Sequence, residues 1–215
     1  MYLKRLSDKV WLTRNARFTA AKRMKRSRIG STASVALLSA FVIAINLLVF
    51  LPEVNNETNI RITLGTIILS TFVLVMSLLI TLLRYEWREN NYHHCAIELE
   101  HLNQQIQIRL SELIANHGGQ DDFESPVEDN EKFLESYTQI IKKYNLNHTM
   151  FDYRYGCLSD SELQFERYHK AYMKIRYYVF DVYLLYWLIS FVSLVPTIYI
   201  VLTIVIETLF VINRI

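Results

Sequence analysis

Two apolar runs, residues 31–51 and 62–83, stand in the first half of the chain, and neither contains a charged side chain. Each is about 20 residues, the length a helix needs to cross roughly 30 Å of hydrocarbon. A bilayer interior offers no water to backbone N–H and C=O groups, so such runs can only fold there with their hydrogen bonds closed internally, as helices. The stretch between them, 52–61, carries Glu53, Glu57 and Arg61. The pattern predicts a transmembrane helical hairpin over residues 31–83.

The flanks predict its orientation. Residues 1–30 hold ten Lys and Arg against the single Asp8, a net +9. Basic side chains close to a span keep that side in the cytoplasm. The N-terminus and residues 84–180 are therefore expected inside, and the 52–61 loop outside. A cleaved secretory signal has a shorter basic region and a shorter apolar stretch than these. A third uncharged run, 182–206, contains Pro196 and reads as a C-terminal transmembrane helix within 181–215. Proline removes a backbone donor, so a kinked or re-entrant form of this segment is the alternative.

Residues 84–178 carry eleven basic and sixteen acidic side chains, a net −5. The basic arm thus has two candidate partners beyond nucleic acid. One is anionic lipid, worth about 1 kcal/mol per charge near the surface. The other is the acidic cytoplasmic helices, its own or a neighbour's. Cys95 and Cys157 fall in this cytoplasmic part, where thiols stay reduced and no disulfide is implied.

Outside the spans the apolar spacing is helical. Leu3, Leu6, Val10, Ala21 and Met24 lie near one face of the arm, with Trp11 and Phe18 a heptad apart on another. Leu99, Leu102, Ile106, Leu110 and Leu113 follow a three-four spacing, and Gly118–Gly119 predicts a stop at His117. An acidic loop with Pro126 spans 118–130. Phe133, Tyr137, Ile140, Ile141 and Tyr144 mark a helix over 132–144, and another is expected over 161–180. The fold class is an all-α membrane protein: an N-terminal basic helix (1–30), the hairpin, a cytoplasmic helical bundle (84–180) and the C-terminal span.

Residues with catalytic or ligating chemistry are few. His93, His94, Cys95 and His101 are close in sequence but point apart on a helix, and no second pair stands at ligand spacing. There is no Gly-rich phosphate loop and no Gly-x-Ser-x-Gly turn. No metal, no cofactor and no enzymatic activity is expected. The spans are more informative. Ala33, Ala36, Ala40 and Ala44 fall on one face of the first, where small residues let helices pack closely. Thr63, Thr66, Ser70, Ser77 and Thr81 form a hydroxyl stripe on the second, Ser190, Ser193 and Thr197 another on the third, and Asn46 is the amide of the first. Such a stripe serves either interhelical hydrogen bonds, about 0.6 kcal/mol each, or the lining of a water-filled path. The second use requires a homo-oligomer, because a few spans cannot enclose a pore. Tyr172, Tyr177, Tyr178, Tyr183, Tyr186 and Trp187 read as an interfacial aromatic belt.

The arm reads Lys9-Val10-Trp11-Leu12-Thr13-Arg14, then Ala16-Arg17, Ala20 and Arg23. Further on, Tyr137 is followed by Asn147-His148 and Asp152-Tyr153. In this order, over about residues 5–155, the motifs resemble the SLATT family, bacterial two-span membrane proteins associated with nucleotide-messenger synthases and their sensors. The extra apolar run resembles a longer subgroup linked to reverse-transcriptase loci. The resemblance implies an effector of bacterial conflict systems in the inner membrane. On a signal, often a nucleotide second messenger, such proteins assemble and breach the membrane; a reverse transcriptase or nucleotidyltransferase system encoded nearby would supply the trigger. The alternative is a non-conducting anchor that recruits a cytoplasmic defence partner. In this scheme Trp11, Arg14, Arg17 and Arg23 couple the bundle to the hairpin, or else anchor an amphipathic helix in lipid. Tyr137, Asn147, His148, Asp152 and Tyr153 join arm to bundle, with Asp152 expected to face Arg14 or Arg17; residues 145–148 alternatively form a helix C-cap and turn. Lys142, Lys143 and Arg154 are the candidates for phosphate contact.

Overall fold

A computed structural model describes residues 2–48, 56–116, 126–157, 171–172 and 175–176. Its elements are α1 (Tyr2–Leu48), α2 (Asn56–Leu82), α3 (Tyr85–Asn116), α4 (Val127–Tyr144) and α5 (Met150–Cys157). All regular structure among the described residues is helical, as the spacing predicts. The C-terminal span, its hydroxyls Ser190, Ser193 and Thr197, and most of the helix expected over 161–180 lie outside the described residues. The chain divides into two compact units, Met1–Lys25 with Glu86–Tyr177 and Arg26–Tyr85 with Tyr178–Ile215.

The first unit is a helical bundle. Leu3, Leu6 and Val10 of α1 meet Cys95, Leu99, Leu102, Ile106 and Leu113 of α3 and Phe133 of α4 in one buried cluster. Leu110, Tyr137, Ile140, Ile141 and Tyr144 pack against it. Apart from Cys95, these are the positions that the three-four spacing marks, because i, i+3 and i+4 side chains share one helix face. Two elements start earlier than their apolar spacing suggests. α4 begins at Val127, directly after Pro126, so Glu128 and Asp129 form its first turn rather than a loop. Carboxylates there face the positive end of the helix dipole, and Asp129 also accepts from Arg109 Nε at 2.8 Å. The helix stops at Asn145, which donates its N–H to the Ile141 carbonyl and then takes a left-handed backbone (φ 43°, ψ 41°) that turns the chain out of the helix. An αL residue at a helix end is a role that asparagine tolerates well. The expected C-cap is present.

The second unit contains the hairpin. α1 does not break at Gly30, where the sequence reading separates arm from span; it continues to Leu48. A lone helical glycine costs only about 1 kcal/mol relative to alanine, which the helix-compatible residues on either side outweigh. α2 likewise begins at Asn56, ahead of Ile62, with Glu57 in its first turn accepting from Arg61 at 2.6 Å. Leu38 and Val42 of α1 pack on Leu69 of α2, flanked by Phe72, Val73 and Met76. Away from this seam the side chains face outward: Leu37, Ile43, Ile68 and Leu82 are exposed by 62, 62, 71 and 75 %. Only 22 % and 11 % of the most apolar windows of the two spans is buried. A core helix of a water-soluble protein would hide such surface; here it is offered to lipid. α2 ends in a turn at Leu83–Arg84, where Arg84 takes a positive φ of 48° before α3 starts.

Candidate functional site: a buried polar clamp on the first helix

Asp152 organises the most polar part of the bundle. It sits in the first turn of α5 and is fully buried. The local sequence Thr149-Met150-Phe151-Asp152 is a capping box, the Ser/Thr-x-x-acid pattern in which both residues satisfy free N–H groups. The Thr149 hydroxyl oxygen accepts the Asp152 N–H at 3.2 Å, and the Thr149 N–H donates to Asp152 Oδ2 at 3.1 Å. The same carboxylate takes a side-on fork from α1: Arg23 Nε to Oδ1 at 2.9 Å and Nη2 to Oδ2 at 2.8 Å. The Thr149 hydroxyl adds a fourth bond at 2.7 Å. α5 approaches α1 closely because of Gly156. A Cβ there would stand 3.0 Å from the backbone N of Ala16 and the backbone C of Asn15.

The partner of Asp152 is therefore Arg23, not Arg14 or Arg17 as the sequence reading expects. Arg14 is turned to α3, where it pairs with Glu100, and its guanidinium lies 5.6 Å from the Trp11 ring. Arg17 is 3 % exposed and stacks at 5.6 Å over the ring of Tyr92. Nine residues at about 100° each put Arg14 and Arg23 on opposite faces of α1, so one carboxylate cannot serve both. Of the two partners weighed for the arm, the acidic helices of its own chain take Arg14 and Arg23, while Lys4, Arg5, Lys22 and Lys25 stay exposed.

The remaining candidates fall in several places. Tyr92 donates its hydroxyl to the Asn147 carbonyl at 2.7 Å, fixing the turn after α4. His148 stacks on Tyr153 with ring centroids 6.0 Å apart. Tyr137 meets the Thr13 hydroxyl at 3.2 Å, with Lys9 over its ring. Lys142 and Arg154 are exposed, and Lys143 is bound to Glu98; the three do not gather into one site. Burial pushes the Cys95 thiol up against a smaller opposing effect of the Arg17 cation, so it behaves as a core residue and not as a nucleophile. His93 lies edge-on to Phe18, while Cys95 belongs to the core cluster, so the His/Cys group diverges. Among the described residues no group of three or more His, Cys, Asp or Glu could hold a metal. Sequence reasoning misses Tyr92, Thr149 and Gly156. The capping-box pattern was readable; the other two act only through tertiary contact. It also misses a buried polar link in the bundle, where the Ser7 hydroxyl donates to Asn103 Oδ1 at 3.0 Å and accepts from Gln107 Nε2 at 2.7 Å.

Burial lowers the pKa of His148 below its ordinary value of about 6.5, and the neighbouring Arg17 cation lowers it further against a smaller opposing effect of Asp152. The unfolded chain then binds a proton that the folded one refuses. His148 contributes full stability above pH about 6.5, and loses it as the pH falls through that value towards the lower folded pKa. We expect His148→Gln to flatten the drop in melting temperature between neutral and mildly acidic buffer; an unchanged drop would assign it to other groups.

In the hairpin, the seam uses Leu38 and Val42, with Ile45 buried on the same face. At about 100° per residue, Ala33, Ala36, Ala40 and Ala44 lie on the opposite side of α1, and all four are exposed. They do not pack the hairpin itself. The hydroxyl stripe runs beside the seam on α2. Thr66 is buried at its edge, and Thr63, Ser70, Ser77 and Thr81 are exposed. Thr63, Thr66, Ser70 and Thr81 donate to carbonyls three or four residues back, on their own helix, at 2.6–3.0 Å. The Asn46 amide does the same to the Val42 carbonyl at 3.0 Å. None of these bonds crosses to the other helix.

An all-α chain with two outward-apolar helices of spanning length defines a small helical membrane protein. The chain belongs to the SMODS and SLOG-associating 2TM effector domain family 5, whose pattern matches residues 1–203. It is thus a two-transmembrane effector, of a class that acts in conflict and anti-phage systems. No curated protein and no solved structure matches it.

Proposed function

We propose that this effector resides in the bacterial inner membrane with its N-terminus in the cytoplasm, and that on a signal it assembles and permeabilises the bilayer. The observation that carries the reading is α1. One unbroken helix supplies Leu3 to Met24 to the bundle and Leu38 to Ile45 to the hairpin, and α5 holds it through Asp152. A change in the bundle that releases the clamp acts on the same helix that lines the hairpin seam. The exposed alanine face supports close packing against a second copy, since small residues allow backbone approach in lipid. The exposed hydroxyls support a wet lining once several copies surround it. The signal is a nucleotide second messenger, or a reverse transcriptase or nucleotidyltransferase system encoded nearby. The reading needs no enzymatic step and no cofactor.

One observation favours a second reading, a non-conducting anchor that recruits a defence partner. The stripe hydroxyls satisfy themselves on their own helix, which is how a hydroxyl sits comfortably against lipid. The double variant Ser70→Leu with Ser77→Leu separates the two. At equal membrane levels, a pore lined by these residues loses most of its dye uptake. An anchor keeps full toxicity with no dye uptake in either form.

A further inference from the structure

Arg17 is the cation that the clamp leaves over. An arginine side chain is a cation with five N–H donors and no acceptor, yet Nε and Nη1 of Arg17 are buried with no hydrogen-bond partner. His148 Nδ1 is also buried and unpartnered. Arg17 lies over the Tyr92 ring, and the Tyr92 hydroxyl donates to the carbonyl of Asn147, the residue before His148, so the two groups belong to one locality. Around Tyr92 stand the cations Arg17 and Arg23 and the carboxylate of Asp152. That carboxylate is already filled by Arg23 and Thr149, and the nearby Glu98 is taken by Lys143 and Tyr144. A buried charge with no free carboxylate among these neighbours is costly, and the unpartnered N–H groups on Nε and Nη1 add to the cost. The Arg17 guanidinium carbon lies 5.6 Å from the centre of the Tyr92 ring, a contact that satisfies none of its N–H groups.

We propose that Arg17 and His148 form a binding site for a phosphoryl group. A guanidinium edge gives two parallel N–H bonds to two oxygens. A phosphoryl group keeps a further oxygen for the imidazole, whereas a carboxylate, with only two, would spend both on the fork. His148 as a whole is only partly buried, which places the pair at the margin of the bundle, although the unpartnered nitrogens themselves are covered. The group comes either from a soluble phosphate or phosphoester or from a lipid headgroup. The site does not depend on whether the spans conduct, because it is read by stability and not by permeability.

The test uses the full chain in a phosphate-free sugar detergent. Its melting temperature is followed against inorganic phosphate, with sodium chloride at matched ionic strength as the control, and in parallel against phosphatidic acid added to the micelles. We expect the midpoint to climb by several degrees with one of the two probes: inorganic phosphate for a soluble source, phosphatidic acid alone for a headgroup. Arg17→Met should abolish the climb while leaving the probe-free midpoint equal to or above that of the wild type, since it removes an unpaired buried charge. Where Arg17→Met yields no folded protein, His148→Leu serves, and should weaken the response several-fold. No climb with either probe, or a climb that survives these substitutions, overturns the proposal.

Discussion

Asp152→Ala is expected to cost roughly 3–5 kcal/mol of stability, the range for breaking a buried ion pair from one side. The carboxylate is fully buried and accepts four hydrogen bonds, two from Arg23 and two from Thr149. Its loss removes the two-pronged acceptor of the Arg23 guanidinium and opens the capping box of α5 together. Melting of the full chain in detergent, followed by circular dichroism, measures it. The cost is specific to the pair. Arg23→Met with Asp152→Leu removes both charges, and should recover most of the stability that Asp152→Ala loses, because replacing a buried pair with apolar side chains is close to neutral. A single variant within about 0.5 kcal/mol of wild type, the range of ordinary surface substitutions, would show that the clamp does not hold the bundle.

The second large effect is expected at Gly156. In an ordinary helix interior, glycine to alanine gains about 1 kcal/mol. Here the sign reverses, because the new methyl meets the α1 backbone at 3.0 Å, and backbone atoms cannot rotate away as a side-chain end can. Gly156→Ala should cost about 1–3 kcal/mol, as overpacking does. Gly156→Val should cost as much as losing the ion pair, since moving α5 off α1 also pulls Asp152 from Arg23. Thermal melts of both variants beside Asp152→Ala make the comparison. A stabilised Gly156→Ala would mean that α5 does not approach α1 this closely.

What the sequence shows and what it hides follow from the physics of each feature. The hydrophobic faces of α1, α3 and α4 are legible because burial repeats every three or four residues, and Leu99, Ile106 and Phe133 all fall in the core. The cap at Asn145 is legible from its residue type. The continuity of α1 through Gly30 is not, because a composition change from basic to apolar looks like a boundary while the backbone passes through it. The pairing of Asp152 with Arg23 over Arg14 or Arg17 is hidden for a different reason. Three arginines within one arm are equivalent as charges, and only the facing of α1 against α3 and α5 selects among them. Gly156 is hidden because its role is the absence of a side chain at a helix crossing. Among the hairpin residues, the alanine face reads as a packing surface, yet the seam is built from Leu38, Val42 and Leu69. Periodicity shows that a face exists and not which partner it meets.

The central claim, that this effector acts by breaching the membrane it sits in, is tested most directly by the membrane potential of cells whose growth the induced chain arrests. A potential-sensitive dye is read together with colony counts, with the protein level in the membrane fraction held equal across variants. The account predicts that the potential collapses before or together with growth arrest in the wild type, and is retained when Ser70 and Ser77 are replaced by leucine. Growth arrest with an intact potential would contradict it.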